Sequence, residues 1–291
     1  MNCSKPAAVR TLIALLAMSL LAAQALAAAP LNQIPSCYAA NKLDIPQPPQ
    51  VREVFILLDQ TVVLDNALKQ SLATSVHSLM TPGTTFTVLR FSAFSQGHYL
   101  DVVSTGALEQ SVPEKLRSSI GVKLLKNFDA CMKGQLDYGI KLAMTSVGDT
   151  IAQSTTELAK SDLFSSLSET SRIVKASAAP RRIVLLVSDM LENSSVSSFY
   201  AKNRIRQIQP DVEMQLVRKE KLLGDFGGAS IFVMGAGVIP EVAVKVGGKE
   251  QMQYRDPKTL GALKQFWSNY FSQSNGKLEE FGMPALIMPV R

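Results

Sequence analysis

The stretch REVFILLDQT, residues 52–61, decides the fold class of this chain. Its apolar run, 54–58, has no polar interruption, and Asp59 follows it. A strand with one face in water alternates apolar and polar residues, so a continuous run indicates a strand buried on both faces. The stretch RRIVLLVSD, 181–189, repeats the pattern and also ends in an acid, and ASIFVMGAG, 229–237, gives a third such strand. The three runs predict a mostly parallel sheet that helices cover on both sides.

Helices and a hairpin are predicted around these strands. Apolar residues recur at helical spacing after the first strand, and two neighbouring β-rich runs indicate an antiparallel hairpin. The predicted elements are a helix at 64–80, hairpin strands at 84–93 and 98–106, a mostly helical stretch at 113–153 that Gly134 and Gly139 interrupt, a surface helix or insertion at 154–179, a helix or loop at 197–209, helices at 211–223 and 256–274, and an edge strand at 278–290 that prolines interrupt. The predicted fold class is α/β, a doubly wound three-layer fold whose mostly parallel sheet carries an antiparallel hairpin strand.

The first 27 residues have the features of a signal peptide. Lys5 and Arg10 precede an apolar run, 11–27, that ends in the small-residue site Ala25-Leu26-Ala27. This order is typical of export signals, and the alternative is a retained N-terminal anchor helix. No later run approaches about 18 apolar residues, so we expect no membrane span in the mature chain. The expected location is periplasmic or secreted.

An arm at 28–50 is expected to precede the main domain, because its prolines disfavour a helix. The domain then covers 51–291, with a helical insertion around 113–179. Removal of the signal peptide leaves two cysteines, Cys37 and Cys131. In an exported protein such a pair predicts one disulfide, and the alternative is two unpaired buried thiols.

Several functional classes are disfavoured by composition and motifs. The net charge is +6, but the basic residues are scattered, which gives no case for nucleic-acid binding. Three cysteines and two histidines are too few for a zinc cluster built from several such ligands. The chain has no nucleophile elbow GxSxG, no P-loop GxxxxGK[ST] and no complete dinucleotide fingerprint.

Two short motifs at strand ends then suggest a family. Asp59-Gln60-Thr61 follows the first strand, and Ser188-Asp189 follows IVLLV. With the order of strands and helices, residues 51–290 resemble the von Willebrand factor type A domain. In that family a D-x-S-x-S loop, a threonine from a second loop and an aspartate from a third loop bind Mg²⁺ or a similar ion. The resemblance implies a Mg²⁺ or Mn²⁺ site at Asp59, Thr61 and Asp189.

This chain departs from the family pattern at three places. Val63 occupies the second serine position of the first loop and cannot ligate a metal. The second-loop threonine is expected near 134–142, where no threonine occurs; Asp137 or Gln135 is the candidate substitute there. Met190 replaces the usual glycine of the third loop. The resemblance therefore implies a partly degenerate site.

Three further polar residues are candidates with an alternative role. Asp65 is either an extra acidic ligand or the cap of the following helix, and helix starts favour the cap. Glu192 and Asn193 follow Asp189 closely and either supply further oxygens or belong to a polar loop.

The sequence leaves two functions to compare. The first is a non-enzymatic protein-interaction module of the cell envelope; in the resembled family, an acidic side chain of the partner often completes the metal shell. The alternative is a periplasmic metal-dependent hydrolase that uses Asp59 and Asp189 to hold a metal and activate water. No histidine lies in either motif, so we expect the interaction module rather than an enzyme.

Overall fold

The stretch that decides the fold forms strand β1, Arg52–Asp59, near the centre of a six-stranded sheet. The computed structural model describes residues 32–92, 100–155, 161–201, 204–238, 244–246, 249–251 and 256–291. The signal peptide predicted at 1–27 lies outside the described residues. Within the described residues, no helix has the length and apolar character needed to cross a membrane.

The remaining elements have the following bounds. The helices are α1 Cys37–Ala40, α2 Asn66–Leu79, α3 Glu114–Arg117, α4 Val122–Ala152, α5 Leu163–Ala176, α6 Pro210–Lys219 and α7 Pro257–Gln273. The other strands are β2 Thr84–Phe91, β3 Leu100–Ala107, β4 Arg182–Val187, β5 Tyr200–Ala201, β6 Arg204–Ile205, β7 Ala229–Met234, β8 Val244–Val246, β9 Lys249–Gln251 and β10 Gly276–Phe281. The pairs β5–β6 and β8–β9 form separate two-stranded hairpins.

The large sheet has the strand order β10-β7-β4-β1-β2-β3. Five of its strands run parallel, and β3 pairs antiparallel with β2. This arrangement confirms the predicted α/β fold with one antiparallel hairpin strand. Strand β10 lies at one edge, as predicted, but it spans Gly276–Phe281, whereas the predicted range, 278–290, continues nine residues beyond its end.

Both faces of the sheet are buried, which explains why the central strands lack polar alternation. Phe55 and Leu57 of β1 point into a core that includes residues of α5, α6 and α7. The alternate residues Ile56 and Leu58 point into a second core, which includes residues of α2 and α4. Because successive side chains of a strand point to opposite faces, a strand between two cores must be apolar at every position.

The prediction that glycines interrupt the long helical stretch was wrong. Helix α4 runs without a break through Gly134 and Gly139. A Cβ added at Gly139 would lie 2.5 Å from a Leu108 methyl group, so this glycine allows close packing of α4 against the chain after β3. Packing of this kind outweighs the roughly 1 kcal/mol that a glycine costs inside a helix.

Two other stretches also differ from the prediction. Residues 154–179 contain a helix, which was one of the two predicted alternatives, but it packs in the core rather than on the surface, because Phe164, Leu167 and Val174 of α5 are fully buried. Residues 197–209, predicted as a helix or loop, contain the β5–β6 hairpin. In both stretches polar residues alternate with apolar ones too irregularly for the sequence pattern to identify the buried side.

The arm before β1 is partly helical and is fixed to the domain. Short helix α1 lies within it, although the prolines indicated no helix there. The disulfide Cys37–Cys131 joins α1 to α4, which confirms the predicted bond and excludes the two unpaired thiols. Tyr38, Phe128 and Met132 pack around it in a third, smaller core.

Candidate functional site

The candidate site lies where two neighbouring parallel strands end. Asp59 is the last residue of β1, and Ser188-Asp189 follows the last residue of β4 directly. Since β1 and β4 pair in parallel, their carboxyl ends meet at the same edge of the sheet. The Ser188 hydroxyl donates to Asp59 Oδ2 at 2.8 Å and so joins the two loops directly.

Four donors surround the carboxylate of Asp59, of which only 3% is exposed. The Thr61 amide and hydroxyl donate to Oδ1 at 3.0 and 2.6 Å. The Ser188 and Ser161 hydroxyls donate to Oδ2 at 2.8 and 3.3 Å. Burial raises the pKa of Asp59, and these hydrogen bonds lower it in part. Three hydroxyls from three separate loops therefore converge on one buried carboxylate.

Asp189 is the second buried carboxylate of the site. Its Oδ1 accepts from the Leu191 amide at 2.8 Å, and its Oδ2 accepts from the Tyr200 hydroxyl at 2.7 Å. Burial, together with the neighbouring charge of Asp59, raises the pKa of Asp189 to about 8. The parallel pairing of β1 with β4 and the hydrogen bond from Ser188 to Asp59 bring these two predicted residues to the same edge of the sheet.

Tyr200 reaches Asp189 from strand β5 of the small hairpin. Its neighbour Phe199 is fully buried, and the Arg206 guanidinium lies 5.5 Å from the Phe199 ring. Arg206 also donates to the Ser198 carbonyl and, at 2.6 Å, to Glu213 on α6. The start and the end of the hairpin are therefore fixed on α6 and on the aromatic core.

Glu192 is fully buried just beyond Asp189, and it faces the start of α5. The Phe164 amide donates to its Oε2 at 3.1 Å, whereas no hydrogen bond of normal geometry reaches Oε1 among the described residues. Burial raises the pKa of Glu192 to about 8, and the Ser194 hydroxyl offsets only part of this effect. Asn193 forms an isolated β-bridge with Ser161, so its backbone holds the segment before α5 beside the loop after β4.

The structure does not bring the two weaker candidates to the cluster. Asp65 is exposed, and its Oδ1 accepts from the Leu68 amide at 2.8 Å as the N-cap of α2, which is the alternative role that helix starts favour. Asp137 is exposed on α4, thirteen residues before Thr150, whose carbonyl accepts from Gln60. Thirteen helical residues span about 20 Å, so Asp137 lies far along α4 from the end that contacts the Asp59 loop. Gln135 bonds the arm through the Pro35 carbonyl instead.

Sequence reasoning missed two residues of the site. Ser161 donates its hydroxyl to Asp59 from the segment before α5, whereas a second-loop threonine was expected in the 134–142 stretch. The signal that could have located it is Ser161-Asp162 before the apolar pair 163–164, which marks a helix start. No sequence signal identified Tyr200, because a hairpin of two-residue strands has too short a pattern to recognise.

The donor set fits a hard divalent cation. Mg²⁺ and Mn²⁺ prefer oxygen ligands, and carboxylate and hydroxyl oxygens are what the site offers. None of the ion pairs among the described residues includes Asp59 or Asp189, so no basic side chain there balances a negative charge on either residue. The described part of the chain has no cluster of three or more His, Cys, Asp or Glu residues placed to hold a metal. A cation here would therefore be held by two carboxylates and by hydroxyls.

Comparisons with known proteins add little to this geometry. No family model matches the chain, and no curated protein is similar to it. Among solved structures, an aerotolerance-related membrane protein from Bacteroides fragilis, carrying multiple mutations to serines, is similar at 12% sequence identity with a TM-score of 0.32. The match covers 79% of this chain and 92% of that protein. A similarity this low does not identify a function.

Proposed function

We propose that this chain is an exported, non-enzymatic protein-interaction module of the cell envelope with a von Willebrand factor type A-like fold. Its docking site is the crevice at the ends of β1 and β4. Asp59, Thr61 and Asp189, with Ser161 and Ser188, hold Mg²⁺ or Mn²⁺ there. The cation supplies a positive charge that an acidic side chain of the protein partner can bind.

One observation carries the proposal: two buried aspartates lie at the ends of neighbouring parallel strands, three hydroxyls converge on one of them, and neither has a basic partner among the described residues. The raised pKa values of the two aspartates express the cost of charging both in the protein interior, and a divalent cation between them would favour their charged forms. Val63 is 49% exposed, and it occupies the position at which the family pattern has a second ligating serine. The missing ligand leaves room in the cation shell for water or for a partner's carboxylate.

The disulfide supports the proposed location. Cys37–Cys131 closes a loop of 94 residues and fixes the arm to α4. Disulfides of this structural kind form in oxidising compartments such as the bacterial periplasm or the extracellular space. The bond therefore agrees with the signal peptide predicted from residues 1–27.

A metal-dependent hydrolase is less well supported as a function. The groups that contact Asp59 and Asp189 among the described residues are hydroxyls and backbone amides, none of which is a general base. His77 lies at the end of α2 and has no contact with the cluster among the described residues, and His98 lies outside them. A general base for water activation is therefore missing from the described part of the crevice.

The test is a Mg²⁺ titration of the purified protein with its disulfide intact, followed by calorimetry and by tryptophan fluorescence. Trp267 is the single tryptophan, and its indole donates to the Met190 carbonyl at 2.8 Å, one residue from Asp189. We expect stoichiometric binding and a change in Trp267 emission. Both signals should be lost in Asp59→Asn and in Asp189→Asn and retained in Asp44→Asn, an exposed aspartate of the arm.

Two further measurements separate the functions. An interaction module should capture an envelope protein in Mg²⁺, release it in chelator, and fail to capture it as Asp59→Asn. Magnesium-dependent turnover of a generic ester or phosphate substrate, lost in Asp59→Asn, would instead establish the hydrolase. Equal Mg²⁺ binding by the wild type and by both crevice variants would contradict the proposed site.

A further inference from the structure

We propose that Tyr200 is a built-in competitor for the crevice, so that its hydroxyl must leave Asp189 before a divalent cation can bind there. This inference rests on the proposed cation site and adds a gate to it. The contact that carries it is the 2.7 Å hydrogen bond from the Tyr200 hydroxyl to Asp189 Oδ2. The other oxygen of the same carboxylate is engaged by the Leu191 amide. With Tyr200 in place, each oxygen of Asp189 therefore already accepts one hydrogen bond from the protein.

Access to the crevice leads to the same conclusion. Only 4% of Asp189 and 3% of Asp59 are exposed, so protein covers both carboxylates almost completely in this arrangement. Around Asp59 the donors are small hydroxyls, which can rotate and present their lone pairs to a cation. Tyr200 is different, because its ring is rigid and its hydroxyl approaches from a separate hairpin. It is the group that has to move.

The hairpin is built so that this movement can stay local. At its root, Phe199 is buried and stacks near the Arg206 guanidinium, and Arg206 is tied to Glu213 at 2.6 Å. Tyr200 is the first residue beyond that anchor, in a strand of only two residues that pairs with β6. Rotation of one side chain, or a small shift of a two-residue strand, would open the crevice and leave the root intact. The same anchor returns Tyr200 to Asp189 when the crevice is empty.

The competition predicts a specific affinity change. Removing the hydroxyl in Tyr200→Phe keeps the ring and its packing but deletes the bond that a cation must displace. Hydrogen bonds to charged groups are strong enough that losing this competitor should tighten Mg²⁺ binding by roughly tenfold or more. A tyrosine that served as a ligand, or that positioned Asp189 for the cation, would produce weaker binding instead.

The experiment compares Mg²⁺ binding at pH 8.5 for the wild type and three variants, by calorimetry and by Trp267 emission. Tyr200→Phe tests the gate, Asp189→Asn removes the carboxylate, and Tyr138→Phe is the matched control, since Tyr138 is an exposed tyrosine on α4. The melting temperature of each variant checks that it is folded. We expect binding at least tenfold tighter in Tyr200→Phe, unchanged binding in Tyr138→Phe, and none in Asp189→Asn.

The outcomes distinguish a failed gate from a failed site. Measurable binding by Tyr200→Phe alone, with none by the wild type, would also support the gate. Wild-type binding that Tyr200→Phe leaves equal or weaker would overturn the gate and retain the cation site. Absence of binding in both the wild type and Tyr200→Phe would overturn the gate and the proposed cation site together.

Discussion

Met190 shows how a single residue can hold a functional loop in an unfavourable conformation. It follows Asp189, its φ is +61°, and its side chain is fully buried in the core that contains α7. The resembled family usually has glycine at this position, which adopts positive φ without strain. Here the Met190 carbonyl accepts the Trp267 indole, so packing and one hydrogen bond maintain the strained backbone.

Met190→Gly should therefore destabilise the protein although it removes backbone strain. Relief of a left-handed conformation is worth about 1–2 kcal/mol, whereas emptying a buried methionine site costs about 2–5 kcal/mol. We expect a net loss of about 2 kcal/mol in the free energy of unfolding, measured by urea denaturation. Lys221→Gly is the matched control, because Lys221 has φ +58° but is exposed after α6.

In the control only the strain changes, so Lys221→Gly should be neutral or stabilising by up to about 1 kcal/mol. If Met190→Gly stabilised the protein as much as Lys221→Gly does, the buried methionine side chain would contribute little to the free energy of unfolding. In that case the family's glycine would be the better residue at this position for stability.

Glu192 should make the protein less stable as pH rises. Its pKa is about 8 in the folded protein, against about 4.5 for an ordinary glutamate. Between those values the folded state holds a proton that the unfolded state has released, so the free energy of unfolding falls with rising pH. One such group contributes a slope of up to about 1.4 kcal/mol per pH unit.

Glu192→Gln should reduce that slope, measured from urea denaturation at intervals between pH 5 and 8 in chelator. Asp189 titrates in the same direction, so a smaller slope should remain. Glu169→Gln, an exposed glutamate on α5, should keep the wild-type slope. Identical slopes for the wild type and Glu192→Gln would show that Glu192 is charged in the folded protein throughout this range.

At the scale of elements, the ion pair between Arg206 and Glu213 holds the β5–β6 hairpin on α6. Only 4% of the Glu213 side chain is exposed, and its second oxygen accepts from the Ser197 hydroxyl at 2.7 Å. Arg206→Met leaves this carboxylate buried without its cation, which should cost about 2–3 kcal/mol of unfolding free energy. Urea denaturation measures the loss.

Arg90→Met provides the comparison, because the pair Arg90–Asp101 is 39% and 48% exposed. Pairs exposed to this degree contribute about 0–1 kcal/mol. Equal losses in the two variants would show that the hairpin gains no more from its ion pair than the surface of β2 and β3 does.

The elements differ in how far the sequence could predict them. Strands β1, β4 and β7 were predictable, because burial on two faces requires a continuous apolar run. Asp59 and Asp189 were predictable as neighbours because parallel strands place their carboxyl ends at the same edge of the sheet. Helix α5 was misjudged because small polar residues, Ser166 and Thr170 among them, are buried on its core side. Ser161 and Tyr200 depend on that helix and on a two-residue hairpin, so their contacts could not be read from spacing.

At the scale of the whole molecule, α4 extends well past the sheet that it covers. Its 31 residues span about 46 Å, whereas the eight residues of β1 span about 27 Å. Its later half buries Ala143 and Val147 against the sheet core. Its first half buries Phe128 and Met132 in the separate small core beside α1. The disulfide lies in that small core and not in either main core.

The separation of the small core from the two main cores predicts two levels of stability when the disulfide is removed. In the double variant Cys37→Ser/Cys131→Ser, loss of a 94-residue loop closure lowers global stability by up to about 4–5 kcal/mol. The small core loses its covalent link in addition, so α1 and the first half of α4 should open before the sheet does. Native-state hydrogen exchange should then show amides 122–135 exchanging by a local opening of lower free energy than β1 and β4. Equal loss of protection at every amide would mean that the small core unfolds only with the sheet, and that the disulfide acts on the unfolded chain alone.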